Sequence, residues 1–308
     1  MYEMKEDFGL KPTRKLDGCL FLKFPRIISI SGKGGVGKTN LVINLAFAFA
    51  KLHRNIFVLD ADLGLPNIHT LLGLVPQYTI SHFLREQEIP WKFSIEGKGG
   101  ITILPGSSQD SESVNLGERE KVNLIEKMEL ITKASDIILI DTESGLSSNL
   151  LFFNMMASNN IIIITPEPTS INNAQALIKA LSSKDKRRRF AILVNFAQNK
   201  CEAIDIFQNF AKIIDKTLDR IASIEFLGFV PFDEKLQQAI RSQRAVIEMW
   251  PQAPSSCSFM EVARSILKRA TRQAGGTVNF FAFSPALKDS SLTLNKTDDG
   301  SQEFNLEK

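Results

Sequence analysis

The chain is poor in cysteine and histidine, carries almost no net charge and has no long apolar run. Its 308 residues hold three cysteines, Cys19, Cys201 and Cys257, far apart and with no Cys-x-x-Cys. That spacing excludes a disulfide framework and a cysteine-bound metal cluster, and it suits a reducing compartment. The three histidines, His53, His69 and His82, share no metal spacing and follow no nucleophile, so none is assigned to catalysis. No stretch reaches the ~20 apolar residues that a bilayer span needs. Met1 to Lys15 is mixed charged and polar, unlike the apolar core of a secretory leader. A net charge of +3 does not demand nucleic acid or acidic partners. The expectation is a cytoplasmic protein, with peripheral contact at the inner face of the membrane or the cell pole left open.

What the chain does have is apolar content, at 44%, distributed in short runs that alternate with helical patterns. Asn55 to Asp60 is apolar until its final acid, and similar runs lie at 27–30, 101–104, 136–141, 160–165, 190–195 and 223–230. Helical periodicity fills 39–52, 117–133, 146–157, 170–182, 201–219, 233–241 and 258–272. Continuous apolar strands alternating with helices predict a doubly wound α/β domain, with a mostly parallel sheet covered on both faces. The predicted domain covers 25–273, after a lead-in at 1–24. Beyond it, 274–308 turns rich in Ser, Asp, Asn and Lys, the composition of a flexible tail. Within that tail Val278 to Phe283 is short and aromatic, and docking on the domain is preferred to insertion in a membrane.

The densest chemical signal is Ser31-Gly32-Lys33-Gly34-Gly35-Val36-Gly37-Lys38-Thr39, placed between the first apolar run and the first helix. Binding a polyphosphate needs several backbone N–H groups turned inward, and residues without side chains let the chain bend tightly enough to present them. The following helix adds its unpaired first-turn donors and the positive end of its dipole. Strand, glycine loop and helix at this spacing fit the phosphate loop of nucleoside triphosphatases. Gly32 to Lys38, Thr39 and Asn40 form the expected binding set. Lys38 would reach the β- and γ-phosphates, and the Thr39 hydroxyl would hold Mg2+.

Two acidic turns stand where such a sheet places its ligand, outside the carboxyl ends of strands. Asp60-Ala61-Asp62-Leu63-Gly64-Leu65-Pro66-Asn67 closes the second strand, and Asp141-Thr142-Glu143-Ser144-Gly145 closes a later one. Hydrolysis of a γ-phosphoryl group requires a held metal, an aligned water and stabilised charge. Asp141 is the expected magnesium carboxylate, Asp60 its support and Asp62 the residue that orients water. The Gly145 amide is placed to sense the γ-phosphate.

Lys33, inside the loop, gives Lys-Gly-Gly-Val-Gly-Lys-Thr, which resembles the deviant phosphate loop (deviant Walker A) of the MinD/ParA ATPases. Both acidic turns look like the switches of that family. Thr165-Pro166-Glu167-Pro168-Thr169-Ser170, His69 to Leu74 and Ile103-Leu104-Pro105-Gly106 resemble the branch containing the flagellar-number regulators. The likeness spans about 26–270. It implies an ATP- and magnesium-dependent ATPase whose Lys33 crosses to a partner copy's nucleotide. It also implies that Asn195 and the turn Pro231-Phe232-Asp233 contact adenine, and an amide side chain suits adenine's donor–acceptor edge.

The resulting expectation is an ATP-dependent dimerising switch that hydrolyses slowly while positioning or counting a structure such as the flagellum. Its partners would be a second copy and a protein such as a flagellar GTPase or regulator. The alternatives are a nucleoid-riding partition ATPase, or a nucleotide-binding module with little turnover. Glu143 and Ser144 stand where relatives usually have small or apolar residues, and the added negative charge near the γ-phosphate is expected to slow turnover or alter the switch. The run Lys184 to Arg189 is a candidate patch for DNA phosphates or anionic lipid, against a solvated connection. Residues 1–24 lack the glutamine-containing segment by which some flagellar regulators stimulate a GTPase. The helical pattern up to Arg272 is basic and amphipathic but is expected to cover the sheet rather than bind a membrane.

Overall fold

A computed structural model of the chain describes residues 26–85, 92, 94–97, 99–107, 115–185, 189–218 and 222–272. The expected lead-in at 1–24, the tail at 274–308 with Val278 to Phe283, and the centre of the basic run at 186–188 lie outside them. The chain divides into two units, Met1–Ala274 and Gly275–Lys308, and every described residue belongs to the first.

The elements follow in the order β1 (Arg26–Ser31), α1 (Lys38–Lys51), β2 (Ile56–Ala61), α2 (Ile68–Leu71), α3 (Ile80–Arg85), β3 (Ile95–Gly97) and β4 (Ile101–Leu104). Then come α4 (Glu118–Ala134), β5 (Ile137–Thr142), α5 (Ser148–Met156), β6 (Asn159–Ile164), α6 (Pro168–Lys184) and β7 (Arg189–Ala197). The last are α7 (Lys200–Thr217), β8 (Ser223–Pro231), α8 (Glu234–Arg241), α9 (Val246–Met249) and α10 (Pro254–Arg272). The strands form one eight-stranded sheet ordered β3-β4-β2-β5-β1-β6-β7-β8. All pairings are parallel except that of β3 with β4, so the doubly wound reading holds with one short antiparallel edge.

Alternation along the strands sends neighbouring isoleucines to opposite faces, as strand geometry requires. Ile161 and Ile163 enter the core shared with α1, α9 and α10, whereas Ile162 and Ile164 enter the core shared with α6 and α7. Both faces are therefore apolar, which is why these strands read as unbroken runs. The sheet's centre is less uniform. Ser29 and Ser31 alternate with Ile28 and Ile30 and meet a buried polar chain: Ser29 donates to Asn154 Oδ1 (2.9 Å), and Asn160 donates to Ser29 (2.7 Å). Asn154 donates to Ser31 (2.9 Å), and the Ser31 and Thr142 hydroxyls lie 2.8 Å apart. This chain links α5 and β6 to the strand ends on either side of the phosphate loop.

Candidate functional site

The loop from Ser31 to Thr39 leaves β1 at the centre of the sheet, between β5 and β6, and enters α1. Two glycines are required by space. A Cβ on Gly32 would lie 2.8 Å from the Ile163 carbonyl oxygen. One on Gly37 would lie 2.7 Å from Asn195 Nδ2, at a φ of +90°. Gly37 is the N-cap of α1 and no side chain caps it, so the helix's first donors remain free for a ligand.

Lys38 opens the helix with only 9% exposure. Its ammonium group donates to the carbonyls of Gly32 and Lys33, both at 3.2 Å, folding it over the loop. Burial lowers its proton affinity, while the charges of Asp141 and Asp62 act in the opposite direction. Thr39 follows, with its side chain near enough to Asp141 to lower that carboxyl's proton affinity.

Asp141 and Asp60 stand side by side at the ends of paired strands and are both buried. Their hydrogen bonding differs. Asp60 accepts from the Asp62 amide (3.3 Å) through one oxygen and from the Ile68 amide (3.2 Å) through the other, so it clamps the first acidic turn to the start of α2. Asp141 Oδ1, though buried, has no partner. Burial pushes the Asp141 carboxyl up to about 7 despite Thr39 and Lys38. Burial, with the Asp141 charge beside it, holds Asp60 well above the ordinary carboxylate range. An unpartnered carboxylate oxygen next to a hydroxyl and an ammonium group is a ready position for a hard cation. The residues present thus fit Mg2+ with a polyphosphate, and Thr39 and Asp141 are the side chains that would hold the metal. The clamp made by Asp60 differs from the metal support expected of it.

Asp62 accepts from the Leu65 amide (3.0 Å) and stays partly open. The second turn folds toward the loop: Ser144 Oγ lies 3.5 Å from where a Gly34 Cβ would sit, and Gly145 takes a φ of +96°. Glu143 is half-buried and accepts from the Ser147 hydroxyl, which caps α5 by accepting from Leu150 N (3.0 Å). Burial, then the nearby Asp62 charge, raises the Glu143 carboxyl. Lys33 lies at the surface in an ion pair with Glu167 of its own chain (2.9 Å). Asn40 lies half-buried in the first turn of α1.

On the other side of the loop, Asn195 is buried and uses both ends of its amide within the protein. Nδ2 donates to the Val36 carbonyl (2.8 Å), and Oδ1 accepts from Phe196 N (3.0 Å). Asp233 accepts from Lys235 N (2.9 Å), Ser255 N (3.0 Å) and Ser255 Oγ (2.6 Å), capping α8 and tying it to α10. Pro231 ends β8. The base-reading edges expected of Asn195 and Asp233 are therefore engaged elsewhere.

A family profile described as "ParA: NUBPL iron-transfer P-loop NTPase" matches residues 25–267. The chain belongs to the ParA/MinD family of P-loop NTPases. This ParA/MinD-family chain is 35% identical to the antiactivator FleN of Pseudomonas aeruginosa, covering 78% of itself and 86% of that relative. It is 27% identical to the flagellum site-determining protein YlxH of Helicobacter pylori, over 83% of itself and 90% of that relative. Among solved structures, the MinD cell division protein of Aquifex aeolicus aligns with a TM-score of 0.62 and 26% identity, over 79% of this chain and 97% of that one. These relatives agree with the flagellar-number branch read from the sequence. The septum site-determining protein MinD of Pyrococcus horikoshii, solved in complex with Mg-ADP, shares the fold at a TM-score of 0.65 and 21% identity, over 82% of this chain and 100% of that one. Among the described residues Cys201 and Cys257 are free, and no three or more His, Cys, Asp or Glu side chains gather as a metal-holding group. Sequence reasoning missed the engagement of Asn195 with Val36, because the contact joins residues far apart in the chain. The only available signal was the glycine at position 37, which leaves room for an outside side chain.

Proposed function

We propose that the chain is an ATP-driven switch whose nucleotide-bound form pairs face to face with a second copy. Slow hydrolysis then separates the copies. Its task is to position or count a cellular structure, and the flagellum is favoured because relatives carry the names antiactivator FleN and flagellum site-determining protein YlxH. The observation that carries the reading is the buried, unpartnered Asp141 Oδ1 beside Thr39 and Lys38 at the mouth of a glycine loop.

In this reading the amides of Gly34 to Lys38 hold the phosphates, and Lys38 exchanges its carbonyl partners for phosphate oxygens. Thr39 and Asp141 hold Mg2+, which when bound offsets phosphate charge and orients the γ-phosphoryl group. Asp60 fixes the first turn so that Asp62 can align water, and Gly145 follows the γ-phosphate. Lys33 leaves Glu167 and crosses to the nucleotide of the second copy. Glu143 adds negative charge near Asp62 and favours slow turnover. A protein partner, such as a flagellar GTPase or regulator, would then meet the paired form.

Light scattering of the full chain with Mg-ATP tests the core claim. The unmodified protein should double in mass, while Lys33→Ala should bind nucleotide but stay single. Equal mass with and without ATP for the unmodified protein would sink the paired form.

A further inference from the structure

The second acidic turn sends Glu143 and Ser144 to different places. Glu143 is drawn back to α5, where its carboxylate accepts from the Ser147 hydroxyl that caps the helix. Ser144 is exposed, and its hydroxyl has no hydrogen-bond partner among the described residues. It faces the phosphate loop: Oγ lies 3.5 Å, and Cβ 3.7 Å, from where a Gly34 Cβ would stand. The other loop glycines look elsewhere. Gly32 abuts the Ile163 carbonyl, Gly37 abuts Asn195, and Gly35 has open space around it. Of the four, Gly34 is the one that brings the loop against the second turn.

This end of the loop is where a terminal phosphate belongs. A phosphate-loop lysine reaches the β- and γ-phosphates. Lys38 lays its ammonium group on the carbonyls of Gly32 and Lys33, immediately before Gly34. The charges of Asp141 and Asp62 act on that same ammonium group. A γ-phosphoryl group carries its charge on three oxygens. A hydroxyl that donates to an ionised phosphate oxygen makes a charge-assisted bond, stronger than one between neutral groups. Ser144 is free to supply it, because a hydroxyl proton rotates to suit its acceptor. A nucleoside diphosphate ends one phosphate short and would gain nothing from this contact.

We propose that the Ser144 hydroxyl donates to an oxygen of the terminal phosphate, so that the second turn tells ATP from ADP through a side chain as well as through the Gly145 amide. This rests on the nucleotide reading, and the test separates the two.

Isothermal calorimetry of the full chain with Mg-ADP and with the non-hydrolysable ATP analogue Mg-AMPPNP reads the terminal phosphate apart from the rest of the nucleotide. Ser144→Ala should bind Mg-AMPPNP about tenfold more weakly than the unmodified chain and bind Mg-ADP unchanged. Ser144→Thr keeps the hydroxyl and should restore Mg-AMPPNP binding. The thermal midpoint without nucleotide should be the same for Ser144→Ala as for the unmodified chain, because an exposed hydroxyl without a partner holds nothing together. Diluting the chain about tenfold should leave the loss in Ser144→Ala unaltered. A loss that disappeared on dilution would place Ser144 in the contact between copies and overturn the proposal. Mg-AMPPNP binding by Ser144→Ala as tight as that of the unmodified chain would overturn it too, as would an equal loss for both nucleotides. If the unmodified chain took up neither nucleotide, the nucleotide reading would fall and this inference with it.

Discussion

Asp141 is asked to be buried, ionised and unpartnered in the same place, and each demand works against the others. Burial raises its carboxyl from the ordinary 3.8 to about 7. An acid whose folded-state value exceeds its unfolded one binds a proton on folding at pH values between the two. Stability of the nucleotide-free protein therefore falls as pH rises from 3.8 toward about 7, and the full penalty persists above that. Asp141→Asn removes the buried charge and keeps the shape. In urea denaturation at pH 8 without nucleotide, we expect this variant to be more stable by about 2 kcal/mol, with a flatter pH profile. It should also lose magnesium-dependent nucleotide binding, a trade of stability against function. An Asn variant less stable than the parent at pH 8 would show that the ionised carboxylate has support beyond Thr39 and Lys38.

Between elements, the polar chain Ser29–Asn160–Asn154–Ser31–Thr142 ties α5 and β6 to the sheet's centre. Each member is buried, so removing one leaves others without partners. Asn154→Ala should cost about 2–4 kcal/mol in urea denaturation, more than one exposed hydrogen bond, because Ser29, Ser31 and Asn160 all contact that amide. A loss under about 1 kcal/mol would mean the remaining groups re-pair without strain. This chain was invisible in sequence, whereas the phosphate loop was plain, and the reason is distance. Gly32 to Thr39 acts through its own backbone and the helix that follows, so consecutive residues carry the signal. Ser29, Thr142 and Asn154 meet only after the sheet is assembled. Likewise β2 and β5 were legible because burial on both faces leaves unbroken apolar runs. β3 was not, because three residues at an antiparallel edge carry too little pattern. α9, with four residues, gave no period to read. α10 begins at Pro254 rather than at the expected 258, because proline suits a first helical turn and Ser255 is drawn to Asp233. Asp60 was rightly placed at a strand end, but its engagement with the Asp62 and Ile68 amides depends on how the loop returns.

For the whole molecule the decisive question is where Lys33 points. In the single chain its ammonium group is 2.9 Å from Glu167 Oε2, at the N-cap of α6. The Lys33 contact, by hydrogen bond and by charge, holds the Glu167 carboxyl below its usual range. Both side chains are solvent-exposed, so water and salt screen the pair and it exchanges readily. Pairing with a second copy, if it draws Lys33 across the interface, must first release this internal contact. In the proposed switch the free chain would therefore have a weak bias toward remaining single, which ATP would have to overcome. Glu167→Gln keeps the shape and a hydrogen-bond acceptor while removing the charge that retains Lys33. Light scattering across an ATP titration should show half-maximal pairing at about threefold lower ATP for this variant, with the difference shrinking at high salt. Nucleotide binding by the single chain, read by calorimetry with Mg-ADP, should not change, because Glu167 hydrogen-bonds to Lys33, which the paired reading assigns to the second copy's nucleotide. If pairing were instead weakened in Glu167→Gln, Glu167 would be guiding Lys33 toward the second copy rather than restraining it.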